Sequence, residues 1–214
     1  MHRPVRILCL ISFAALSCLG SLAQADSPRF EMTPFVGYRM GGSFDYYDAD
    51  ADKDRSVDLD DDMSWGFDLG LYRDTTSFYE LLYSNQQSKL QSSGSGLGPV
   101  DVRTQYVQLG GTVLYPQDSW FVPFLSGTLG ATLLDPSGRY DSETKFSISL
   151  GTGIRFPVSD NFAATLGLRG YLTFVGSDTE FLCVSGGGEG GCLVKSSGST
   201  YFQGEATLGF TFMF

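Results

Sequence analysis

Thr200-Tyr-Phe-Gln-Gly-Glu-Ala-Thr-Leu-Gly-Phe-Thr-Phe-Met-Phe214 decides the fold. Phe202, Ala206, Leu208, Phe210, Phe212 and Phe214 occupy one phase of a period of two. Gln203, Glu205, Thr207, Gly209 and Thr211 occupy the other. Successive side chains of a strand point to opposite faces, so this is a strand with one apolar and one small or polar face.

The same alternation runs back through the chain. Leu166, Leu168, Leu172 and Phe174 oppose Thr165, Gly167, Arg169 and Thr173. Phe146, Ile148, Leu150, Ile154 and Phe156 oppose Ser147, Ser149, Gly151, Gly153 and Arg155. Phe121, Leu125, Leu129 and Leu133 form one phase of a fifth strand, and Val107, Leu109, Val113 and Tyr115 one phase of a fourth. Ser77 to Gln87, Met63 to Arg73 and Phe30 to Met40 complete eight strands. The connections alternate in length. Asp74–Thr76, Pro116–Ser119 and Pro157–Asn161 are short and carry turn residues. The segments 41–62, 88–101, 135–144 and 176–199 are long.

Strands of this length with short turns at one end and long loops at the other predict an all-β, eight-stranded antiparallel up-and-down transmembrane β-barrel. A soluble barrel would also alternate, with its apolar phase inward. Here the polar phase is rich in Gly, Ser and Thr, which suits a narrow interior better than a solvated outside. Trp65, Tyr38, Tyr115, Trp120 and Phe121 fall near strand ends, as interfacial girdles require. Pro34 and Pro123 each remove a ladder donor, which predicts a bulge or a place near the periplasmic rim.

Composition agrees. The chain has 214 residues, 27 Gly, 14% aromatic and 18% charged residues. Arg3 and Arg6, an apolar run from Ile7 and Ala23-Gln24-Ala25 predict a signal peptide over 1–25, leaving 26–214 as the barrel domain. From residue 26 on, 12 basic residues face 24 acidic ones, a charge of −12 that disfavours nucleic acid as a partner. The same portion contains no histidine, because His2 is the chain's only one.

The leader, the eight-strand layout and a last strand ending on Phe214 resemble the small outer-membrane β-barrel superfamily of Gram-negative bacteria, which includes OmpA-, OmpX- and OmpW-type barrels. The resemblance implies a place in the outer membrane, among membrane lipid and lipopolysaccharide. It also implies insertion by the assembly machinery that reads a C-terminal aromatic strand. It is specific for architecture and weak for function. Outer-membrane acyltransferases, deacylases and proteases resemble one another in using a His as base, so its absence here points away from an enzyme.

Four features are candidates for function. The inward phase carries Glu31, Arg39, Asp68, Glu80, Arg155, Arg169 and Glu205. Counting from the periplasmic ends places Arg169, Glu205 and Arg39 at similar heights, which predicts an Arg169–Glu205 pair joined by Arg39, with Asp68 in the same network. Its role is a structural plug or a gate for ions or small apolar solutes. Asp45 to Asp62 holds nine Asp against Lys53 and Arg55. Asp50, Asp52, Asp54, Asp58 and Asp61 follow a calcium-loop spacing without its turn Gly. That segment is either a weak Ca²⁺ or Mg²⁺ site or a solvated acidic loop. No other cofactor is implied. Cys183 and Cys192 bracket a Gly-rich loop in an exported chain, and they predict a disulfide. What remains is the set of surface loops, which point to interaction or envelope integrity.

Overall fold

The computed structural model describes residues 30–48, 53–91, 100–137, 142–175, 180–183, 192–195 and 200–214. Segment 1–25 lies outside them. Among the described residues twelve strands are formed: β1 Phe30–Met40, β2 Ser43–Asp48, β3 Lys53–Leu59, β4 Asp62–Tyr72, β5 Ser77–Gln91 and β6 Val100–Leu114. They continue with β7 Val122–Pro136, β8 Glu143–Ser159, β9 Phe162–Phe174, β10 Glu180–Cys183, β11 Cys192–Lys195 and β12 Thr200–Met213. Eight of them, β1, β4, β5, β6, β7, β8, β9 and β12, pair antiparallel in a ring, and β5 against β6 closes it. These are the eight strands read from the alternation.

The phases face as their chemistry demands. Along β1 every second residue is exposed, from Phe30 to Met40, and Glu31, Thr33, Phe35, Gly37 and Arg39 are buried. Val36, Trp65, Leu109, Leu129, Leu150, Leu168, Phe202 and Phe210 stand on the outer wall, 48–70% exposed where a free side chain needs an apolar solvent. Trp65 meets Tyr83 edge-on at 5.8 Å toward the long-loop end, and Trp120 stacks on Phe156 at 5.1 Å at the other. These rings make the two girdles.

The turns 73–77, 114–122 and 159–162 share one end with both ends of the ring. There Phe30 and Phe214 exchange backbone hydrogen bonds of 3.3 and 2.8 Å. In the first turn Asp74 accepts from the Ser77 hydroxyl (2.5 Å), the Thr76 amide (2.9 Å) and the Thr76 hydroxyl (3.0 Å). Those bonds to the ionised carboxylate, led by that from Ser77, hold its pKa down at about 2.

Pro34 makes no bulge. The β1–β12 register is unchanged from Glu31↔Met213 to Met40↔Gly204, but no pairing forms at Thr33 and Pro34. Pro123 is the second residue of β7, at the rim, and its carbonyl accepts from the Tyr115 amide at 2.8 Å. The register irregularity lies elsewhere, between Pro157 and Ser159. Inside, the Phe35 ring lies over Gly66 and the Phe124 ring over Gly153. A Cβ on either glycine would fall 2.6 Å from the ring.

Two long connections contain more structure than a loop reading predicts. Within segment 41–62, β2 pairs antiparallel with β3, and β3 touches β5 through Asp58↔Gln91 and Leu59↔Leu90. Segment 176–199 contains the β10–β11 hairpin. β5 and β6 also run on past the membrane, pairing as far as Leu90↔Val100. Gly41 and Gly42, at φ of 81° and 115°, let the chain bend from β1 into β2, a conformation that favours glycine.

Candidate lumen charge ladder

An eight-stranded ring leaves an interior just wide enough for side chains. The inward phase fills it with three ion pairs stacked along the axis. Nearest the short turns, Arg155 grips Glu31 with two bonds of 2.9 Å, and the Tyr72 hydroxyl donates to Glu31 at 2.6 Å. The Arg155 guanidinium also lies 5.7 Å from the Phe78 ring centre. In the middle, Arg169 Nη2 donates to Glu80 Oε1 at 2.6 Å, and the Thr112 hydroxyl bonds the second oxygen. Ser149 and Thr128 receive Arg169 Nη1 at 3.1 and 3.4 Å.

The upper pair joins Arg39 on β1 to Glu205 on β12. Arg39 donates to Glu205 Oε1 from Nη2 at 2.7 Å and from Nε at 3.2 Å, and also to the Ser84 hydroxyl. The Tyr171 hydroxyl donates to Glu205 Oε2 at 2.5 Å. Tyr106 and Tyr171 stack at 4.1 Å, and the Arg39 guanidinium lies 4.9 and 5.0 Å from their ring centres. Both charged side chains are sealed, at 0% and 1% exposure. Above them the Tyr106 hydroxyl donates to Gln203 at 2.8 Å, and Gln86 donates to the Arg39 carbonyl at 3.1 Å.

All four residues predicted as a network, Arg39, Asp68, Arg169 and Glu205, belong to this inward phase. The partner of Arg169 differs from the prediction. Arg169 and Glu205 are opposite in the β9–β12 register. The guanidinium nevertheless reaches across the lumen to Glu80 on β5, and Glu205 is taken by Arg39, Tyr171 and Ser84. Counting heights along neighbouring strands misses partners on the opposite wall, so Glu80 on β5 was missed as the partner of Arg169. Tyr171, on β9 beside β12, was missed because it carries no charge to mark it. Burying a charge without a partner is costly, and here each guanidinium has its own carboxylate. The ladder therefore cross-links walls and closes the bore.

The remaining predicted sites lie toward the long-loop end. Asp50 and Asp52 fall outside the described residues. Asp54 and Asp58 sit on β3, whose backbone is extended opposite Tyr47 and Ser43. An extended strand advances about 3.3 Å per residue, so this stretch does not wrap as a twelve-residue calcium loop does. Asp61 is exposed, and its carboxylate accepts from the Gly41 amide at 3.0 Å. The β10–β11 ladder sets the backbone of Cys183 opposite that of Cys192.

Comparison with known proteins gives one family. The model of the outer membrane protein β-barrel domain matches residues 11–214. No curated protein matches. Among solved structures, Neisserial surface protein A has a TM-score of 0.53 at 16% identity, over 86% of this chain and 97% of that one. The outer membrane protein AlkL has a TM-score of 0.58 at 13% identity, over 89% and 93%. OprG from Pseudomonas aeruginosa has a TM-score of 0.55 at 13% identity, over 88% and 96%. At these identities the likeness is one of fold.

Proposed function

Because the chain belongs to the outer membrane protein β-barrel domain family and so to the bacterial outer membrane, we propose that it is a non-enzymatic barrel whose surface segments carry its interactions or support envelope integrity. The observation that carries this reading is the closed lumen. A bore crossed by three buried ion pairs and a stacked tyrosine pair leaves function to the wall and the long-loop end. Two further observations support it. No histidine follows residue 25 to serve as a base. The hairpin β2–β3 and the prolonged β5–β6 ladder raise strand surface beyond the membrane.

The experiment is conductance across planar bilayers, paired with surface replacement. The barrel should show no resolvable single-channel steps. Replacing Ser43–Leu59 by a short turn should leave heat-modifiable folding intact and abolish the surface phenotype of the cell. Steady conductance would favour a narrow channel for ions or small apolar solutes and overturn the closed-lumen reading. At the same surface, nine Asp from Asp45 to Asp62 attract Ca²⁺ or Mg²⁺ shared with lipopolysaccharide phosphates. Calorimetry of the refolded protein should give a weak isotherm that disappears when Asp50, Asp52, Asp54 and Asp58 become Asn.

A further inference from the structure

The lumen holds one carboxylate more than its guanidiniums match. Glu31, Glu80 and Glu205 are each bonded to an Arg at 2.6 to 2.9 Å. Asp68, on β4 in the inward phase, has no ion pair of its own among the described residues. Its Oδ1 is buried and makes no hydrogen bond. Beside it lies a void of about 40 Å³, lined among others by Asp68, Arg169, Glu205, Thr33, Thr165 and Thr207. The middle tier thus sets two carboxyl groups, Asp68 and Glu80, against Arg169 alone; with both ionised it bears one net negative charge inside the bore. Several kcal/mol oppose such a charge unless something offsets it.

From these observations we infer that the void binds one monovalent cation of sodium size, with Asp68 Oδ1 as its anionic ligand. The lining supplies oxygen donors, a carboxylate and threonine hydroxyls, which suit a hard cation and not a thiophilic metal. The void exceeds the roughly 10–15 Å³ that one water-sized guest needs. One positive charge balances the tier, whereas a divalent ion would leave an excess beside Arg169. The inference is independent of what the surface segments do. It adds an ion to a lumen otherwise filled by ion pairs.

The test uses the refolded barrel in detergent, in mildly alkaline buffer. Sodium chloride is compared with choline chloride at the same ionic strength, because choline is too large for the void. Sodium should raise the thermal midpoint saturably. A gain of roughly 3–6 °C corresponds to a concentration about ten times the dissociation constant. Asp68→Asn should abolish the difference between the two salts. Should Asp68→Asn fail to fold, thallium(I) soaked into crystals of the wild-type protein should give an anomalous peak within coordination distance of Asp68 Oδ1. Equal midpoints in the two salts would overturn the inference. So would a sodium effect that persists in Asp68→Asn, or a midpoint that follows pH and ignores sodium, which would place a proton on the carboxylate.

Discussion

If Arg39 and Glu205 form the upper tie, their energies must be coupled, and coupled more strongly than Arg169 and Glu205. Glu205→Gln leaves a sealed guanidinium facing an amide, at a cost of about 3 kcal/mol once the two tyrosine faces offset part of the loss. Arg39→Met leaves Glu205 with its donors from Tyr171 and Ser84, and so costs about 2 kcal/mol. The double variant removes both charges and should cost about 2 kcal/mol in total. The coupling energy is then about 3 kcal/mol. Arg169→Met with Glu205→Gln should couple by less than about 1 kcal/mol, because the Arg169 guanidinium is bonded to Glu80. The assay is reversible urea unfolding in phospholipid vesicles, followed by fluorescence of Trp65 and Trp120. A coupling in the second cycle equal to or larger than in the first would refute the assignment of partners.

Three further outcomes follow from the geometry. The Asp74 carboxyl should titrate near pH 2, because its ionised form is bonded by Ser77 and Thr76. Its folded pKa lies below the unfolded value near 4, so its contribution is full above about pH 4 and is lost as pH falls toward 2. Carbon-detected NMR gives the midpoint, and Asp74→Asn should remove that acid-limb dependence of the turn. Gly153→Val should slow or block refolding, since its Cβ would collide with the Leu166 carbonyl oxygen and fall 2.6 Å from the Phe124 ring, at a cost of at least about 1–3 kcal/mol. Gly153→Val with Phe124→Ala should recover part of the loss on a heat-modifiability gel. Cys183 and Cys192 should resist thiol labelling until reduced, and reduction should open the β10–β11 hairpin to protease while the barrel stays intact.

The eight wall strands were legible because lipid outside and a crowded lumen inside impose opposite chemistries on alternate residues. Phe30–Met40 and Phe202–Phe214 show that alternation almost without exception. The β2–β3 hairpin was not legible in the same way. Its Asp run reads as a solvated loop, and the weaker alternation of Phe44 with Tyr46 and of Val57 with Leu59 is diluted by it. Charge pairing was half legible. Periodicity places Arg169 and Glu205 in the bore at one height, but the length of an arginine relative to a narrow lumen makes the opposite wall as near as the next strand. Pro34 illustrates a third limit. The sequence shows the lost donor, whereas only the ladder shows that the register carries on past it.

The ladder also bears on how the ring finds its alignment. A slip of two residues between β12 and β1 keeps every apolar side chain facing lipid, so the membrane does not discriminate against it. The same slip carries Glu205 about 7 Å along the axis, away from Arg39, and strands both charges. Arg39 and Glu205 are 166 residues apart in the chain, Glu31 and Arg155 124, and Glu80 and Arg169 89. Each match is therefore tested only between distant parts of the chain, and the Arg39–Glu205 match only when the first strand meets the last. The buried ions act as a combination lock on closure, rejecting misaligned rings that hydrophobicity alone would accept.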